Sequence, residues 1–203
     1  MLFKASDIEV EVNHAPETTV DRKTSKSIRV MDSADVDDDL VLDVISSPDM
    51  LGAIDFDSGT AKHYYSSGAF NLVQLVLYVL RQIGPAHVLL ASYSVSERAV
   101  TTLKNHVDKG DILSMRFLID NRVRTISPKP FDHMITAFPG CVRCRTLHAK
   151  VALIWNDSRH VDIVCSQNAT HNPKLERGTI YTSQQVFDFD KEVLEYEFEQ
   201  GTD

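Results

Sequence analysis

The chain of 203 residues carries a formal net charge of −8, with 43% hydrophobic and 25% charged residues, the balance of an ordinary globular protein. That composition excludes a fibrous or wholly disordered chain, and the length suits one substantial core plus tails. Three cysteines, an odd number, do not describe a disulfide framework, and a reducing compartment is expected.

Charge is segregated along the sequence. Residues 1–60 hold 14 acidic and 5 basic side chains, and residues 188–203 hold 7 acidic and 1 basic. Between them, residues 61–187 carry 8 acidic and 15 basic side chains, a net of +7 that suits a polyanionic ligand. Surface charge of this size also serves solubility alone. The first 45 residues, rich in Asp, Glu, Thr and Ser and including Asp37-Asp38-Asp39, are expected to be a weakly ordered acidic segment, with the domain proper over 46–203. Within the segment, the alternation Ile8-Glu9-Val10-Glu11-Val12 has the period of a strand. The N-terminus, Met-Leu-Phe-Lys-Ala-Ser-Asp, lacks an apolar signal segment, which together with the cysteine count points to the cytoplasm.

From residue 68 the pattern becomes regular. A helix is predicted over 68–83, stopped by Gly84-Pro85; its apolar run is interrupted by Asn71, Gln74 and Arg81 and is too short to cross a bilayer. A strand over 87–93 follows. Ser94 with Glu97 has capping-box spacing, opening a helix to residue 108 that Gly110 closes, before a strand over 112–119. After a loop at Ser127-Pro128-Lys129-Pro130 come a short helix over 131–137 and strands over 147–155 and 160–166. The four polar residues Asn156-Asp157-Ser158-Arg159 between the two strands predict a hairpin. A strand over 178–182 and an acidic helix over 184–199 end the chain. Strands alternating with helices predict an α/β fold, a mixed, largely parallel sheet between helical layers.

On the strand Leu147-His148-Ala149-Lys150-Val151, the two-residue period puts His148 and Lys150 on one face. Ser166 and Asn168 have the same spacing across the hairpin. An imidazole, an ammonium, a hydroxyl and an amide at one sheet end suit a phosphoryl group: the cation and neutral donors bind non-bridging oxygens while a neutral imidazole attacks phosphorus. A competing reading takes Cys141-x-x-Cys144 with His148 and Cys165 as zinc ligands, although buried thiols in apolar strands are ordinary. Ser92-Tyr93-Ser94, at the end of a strand, is a candidate pocket lining or a helix cap. Arg122, Arg124, Lys129, Arg143 and Arg145 flank the short helix and are candidates to track a phosphate backbone.

His148-x-Lys150 followed by Ser166-x-Asn168 resembles the signature of the phospholipase D superfamily, with Glu176 where that family places a downstream carboxylate. The resemblance spans residues 68–182 and implies the family's α-β-α sandwich. It further implies His148 as the nucleophile forming a phosphohistidine, Lys150, Ser166 and Asn168 as phosphate-binding groups, and Glu176 accepting a hydrogen bond from His148. No metal or other cofactor is implied. Because the chain has one motif where family members use two, the resemblance implies a homodimer in which two His148 side chains share a site. The sequence departs from the pattern in two places. Trp155 stands seven residues after His148 where an aspartate is usual, with Asp157 two residues later, and Cys165 replaces the glycine before Ser166, in a hairpin three residues longer. The expected activity is a metal-independent phosphodiesterase, a nuclease rather than a lipase, with nucleic acid as partner and no membrane. The alternative is a catalytically inactive module of the same fold that binds nucleic acid or protein.

Overall fold

The computed structural model describes residues 38–202. The alternating stretch at 8–12 lies outside them. The last eight residues of the segment expected to be weakly ordered form a strand, β1 (Asp38–Ile45), whose acidic side chains hide its alternation in the sequence. A 3-10 turn (Pro48–Leu51) leads to β2 (Ala61–Ser66), which sequence patterning also missed.

Helix α1 (Leu72–Ile83) is opened by a capping box in which Asn71 accepts from the Gln74 N–H and Gln74 Oε1 accepts from the Asn71 N–H. Gly84, at φ +80°, closes it. Strand β3 (Ala86–Ser92) follows, then α2 (Glu97–Asp108). The cap of α2 is Ser96, whose hydroxyl accepts from the Ala99 N–H, and not Ser94. The reason is a bridge between Val95 and Ala169 that keeps the chain extended past Ser94. Strand β4 (Ile112–Asp120), the single turn α3 (Val123–Ile126) and α4 (Pro128–Ala137) come next. Helix α4 includes Pro128, Lys129 and Pro130, expected as loop, because a first turn needs no N–H from proline.

Strands β5 (Val142–Arg145), β6 (Val151–Trp155), β7 (His160–Cys165) and β8 (Glu176–Tyr181) precede the final helix α5 (Gln184–Glu199). The β6–β7 turn is closed by the Asn156 N–H to the Arg159 carbonyl at 2.9 Å, while Asn156 Oδ1 accepts from the N–H groups of Ser158 and Arg159. The eight strands form one sheet in the order β1-β2-β8-β7-β6-β3-β4-β5. It is mixed, as expected, but parallel pairing is confined to β1/β2, β3/β4 and β4/β5. The β6–β7 hairpin and β8 insert antiparallel neighbours between those parallel pairs.

Helices cover both faces. Val76 of α1, Val100 and Leu103 of α2 and Met134 of α4 join Leu90, Phe117 and Ile154 in the larger core. Phe187 and Leu194 of α5 pack on Leu89, Leu118, Val151 and Leu153 on the opposite face. Asp162 of β7 is fully buried, and neither of its carboxylate oxygens has a hydrogen-bond partner among the described residues. Burial pushes its carboxyl well above the ordinary carboxylate range, and Asp190 of α5 pushes it the same way. A raised folded-state pKa contributes stability that is complete below the unfolded pKa and lost as pH rises through the folded one. Asp162→Asn, neutral at every pH, should therefore gain about 1–3 kcal/mol over wild type at pH 8, the gap closing toward pH 4. Urea melts of both proteins at pH 4, 6 and 8 measure it, and a gap independent of pH would refute the buried-carboxyl explanation.

Candidate active site

The strand expected over 147–155 begins only at Val151, and residues 147–150 lead into it, the Cys165 N–H donating to the Lys150 carbonyl at 3.0 Å and tying this segment to the end of β7. That bond puts the His148-x-Lys150 and Ser166-x-Asn168 pairs at the same end of the sheet. His148 is exposed, whereas Lys150 is only 7% exposed. Lys150 Nζ donates to the His148 carbonyl at 2.7 Å and lies 3.1 Å from Nδ1 and 3.3 Å from Nε2 of the imidazole. Burial lowers the Lys150 pKa from its ordinary value, and the charge of Glu176 works against that shift.

The Ser166 hydroxyl donates to Glu176 Oε2 and accepts from the Arg177 N–H at 3.0 Å. Asn172 Nδ2 donates to Glu176 Oε1 at 2.7 Å. Both oxygens of this buried carboxylate are thus engaged by neighbours across β7–β8 and four residues upstream. The expected hydrogen bond from His148 to Glu176 is not formed; Glu176 instead orients Ser166 and balances the Lys150 charge. Asn168 sits at the start of α1, its carbonyl accepting from the Leu72 N–H at 3.2 Å.

Sequence reasoning missed the support beneath this loop. Gln167, 2% exposed, accepts from the Tyr64 hydroxyl at 2.8 Å and donates to Ser66 Oγ at 3.1 Å. Its place between Ser166 and Asn168 was the available signal, since the alternation that turns those two outward turns Gln167 in. Ser92 does not line a pocket. It is fully buried, and its hydroxyl accepts from the Ala169 N–H and donates to the Ser94 carbonyl. Tyr93 does reach the site, its ring 5.0 Å from the His148 ring.

Of the departures from the motif, Trp155 lies away from the imidazole, whereas Cys165 adjoins the site through its bond to the Lys150 carbonyl. Trp155 ends β6 under α5, its ring 5.9 Å from Phe187 and 4.8 Å from Lys191 Nζ, and Asp157 is exposed in the hairpin turn. Burial pushes the Cys165 thiol up to about 12, leaving it neutral. Cys141, Cys144, His148 and Cys165 do not converge: no cluster of three or more metal-ligating side chains occurs among the described residues. The arginines flanking α4 are largely committed to the C-terminus. Arg145 pairs with Glu197 at 2.7 Å, Arg124 donates to Thr202 and Arg143 lies over the Phe198 ring, so these three are not an open phosphate track. No helix among the described residues is long and apolar enough to cross a membrane.

No protein-family model and no curated protein matches this sequence. Among solved structures, a phospholipase D family member, Nuc from Salmonella typhimurium, superposes with a TM-score of 0.51 at 16% identity, over 71% of this chain and 97% of that one. NucT from Helicobacter pylori gives a TM-score of 0.49 at 15% identity, over 70% and 98% of the respective chains. The chain has the phospholipase D fold, α/β with a mixed sheet flanked by helices. The likeness to Nuc shows that fold, and the chemistry rests on this chain's own residues.

Proposed function

We propose that the protein is a phosphodiesterase, a nuclease acting on single- or double-stranded nucleic acid through a phosphohistidine, with two copies sharing one site. The observation that carries the reading is the exposed His148 imidazole with the buried Lys150 ammonium within 3.3 Å of both ring nitrogens. His148 attacks phosphorus, forming a P–N bond as the P–O bond to the leaving group breaks. The second copy's imidazole protonates the departing oxygen. Water, deprotonated by that same imidazole, then attacks phosphorus and releases His148. Lys150, Ser166 and Asn168 hold the non-bridging oxygens, and Glu176 acts through Ser166 and Lys150. A side-chain nucleophile makes this route independent of metal.

The test is cleavage of labelled DNA, RNA and bis(p-nitrophenyl) phosphate in excess EDTA, with acid-labile, alkali-stable label trapped on the protein by alkaline quench, and sedimentation at the assay concentration. Turnover with trapped label and a dimer is expected. Turnover by a monomer would remove the shared-site mechanism. Absence of turnover on every substrate would turn the reading to a binding module of the same fold.

A further inference from the structure

Beside the imidazole stands a second cation that the proposed chemistry does not use. Arg122 follows β4, and its guanidinium is 60% exposed, yet it is held in place. Asp120, 1% exposed, accepts from Arg122 Nε at 2.9 Å and from the Arg122 N–H at 3.0 Å. The other carboxylate oxygen of Asp120 accepts from the Leu147 N–H at 3.1 Å, immediately before His148. Burial raises the Asp120 pKa, but the hydrogen bonds from Arg122 and Leu147 outweigh it and hold the carboxyl below its ordinary value. One buried carboxylate therefore fixes both the guanidinium and the chain that presents the imidazole.

The guanidinium lies over the Tyr93 ring, 4.7 Å from its centroid. That ring is 5.0 Å from the His148 ring, and Lys150 Nζ is 5.7 Å from its centroid. The two ring distances place the guanidinium carbon within about 10 Å of the imidazole, close enough for one strand to present a phosphate to each cation. Nη1 and Nη2 of Arg122 have no hydrogen-bond partner among the described residues, nor has the Tyr93 hydroxyl. A fork whose direction is already set by Nε and by stacking loses little freedom on accepting an anion. The other arginines of this region are differently placed, since Arg124 and Arg145 bind the C-terminal residues.

We propose that Arg122, stacked on Tyr93 and anchored by Asp120, is a second anion subsite that takes the phosphate neighbouring the scissile one, which makes a polynucleotide, rather than an isolated phosphodiester, the preferred substrate. The proposal deepens the phosphodiesterase reading and rests on it for the identity of the scissile site. Binding at the subsite itself does not require turnover.

The experiment compares the full chain with Arg122→Ala and Arg122→Lys on three substrates: a thymidine oligomer, the same oligomer built of abasic units, and bis(p-nitrophenyl) phosphate, which has a single phosphate. Arg122→Ala should lower the ratio of kcat/KM on the thymidine oligomer to that on bis(p-nitrophenyl) phosphate about tenfold, chiefly through KM. The abasic oligomer should show the same fall, and Arg122→Lys should recover part of it. Oligomer binding, followed by fluorescence anisotropy across salt, should lose roughly 0.7 from its log–log slope, one single-strand phosphate contact. An unchanged substrate ratio would overturn the subsite. A fall on the thymidine oligomer without one on the abasic oligomer would overturn the phosphate assignment in favour of base stacking. If wild type turns over nothing, the phosphodiesterase reading fails, and the anisotropy slope alone decides the subsite.

Discussion

His148→Ala is expected to abolish phosphodiester cleavage in EDTA, a fall of at least about 10³-fold in kcat, because it removes the atom that bonds to phosphorus. The imidazole is exposed, and among the described residues its side chain meets the Lys150 ammonium and the Tyr93 ring, neither of them from the apolar core, so the substitution leaves the core intact. Thermal unfolding should stay within about 2 °C of wild type, which separates lost chemistry from lost fold. Lys150 keeps its bond to the residue-148 carbonyl in the variant, so affinity for a labelled oligomer should persist. If two copies share a site, mixed dimers made by unfolding and refolding wild type with excess variant should be as inactive as the pure variant. Activity in proportion to the wild-type fraction would show that each copy works alone. Cleavage surviving in His148→Ala would remove the phosphohistidine mechanism.

Local pattern predicted the elements nearest the site well. The β6–β7 hairpin could be read because two largely apolar runs flank four polar residues and Asn156 supplies the turn chemistry they announce. His148 and Lys150 could be read as a pair from their spacing, although the strand expected to carry them begins only at Val151. The α2 cap could not, since the Val95–Ala169 bridge that shifts it from Ser94 to Ser96 joins residues far apart in sequence. Strands β1 and β2 were hidden for another reason: Asp-Asp-Leu-Val-Leu-Asp-Val-Ile and Ala-Lys-His-Tyr-Tyr-Ser carry charge and polar groups that read as surface. Charge segregation between 61–187 and 188–203 was plain in composition, but composition does not tell that Glu197 and Glu195 reach back to Arg145 and Arg116. Glu176 is a similar case. Its position suggested a partner in His148, while two nearer donors, Ser166 and Asn172, take its oxygens.

Those two donors make the loop before β8 a structural control on the site, and Gly68→Ala should expose it. Gly68 has φ +76°, a conformation that costs a residue with a Cβ about 1 kcal/mol. Its open face is also filled. A Cβ there would lie well inside van der Waals contact of the carbonyl oxygens of Asn172 and Lys174 and 2.7 Å from the Lys174 nitrogen. These are backbone atoms, which cannot swing aside as a side-chain end does, so overpacking adds about 1–3 kcal/mol and the total loss is about 2–4 kcal/mol. Relief of the clash has to move residues 172–174, and with them the Asn172 amide that holds Glu176 Oε1. Activity of the folded fraction should therefore fall together with stability. Gly84→Ala supplies the contrast, because Gly84 has nearly the same φ, +80°, but nothing within 4 Å of the position a Cβ would take. It should cost only the conformational part, about 1 kcal/mol, and leave cleavage by folded protein unaltered. Urea melts with cleavage assays on both variants measure the difference. Equal losses would mean that the 172–174 loop does not rest on Gly68.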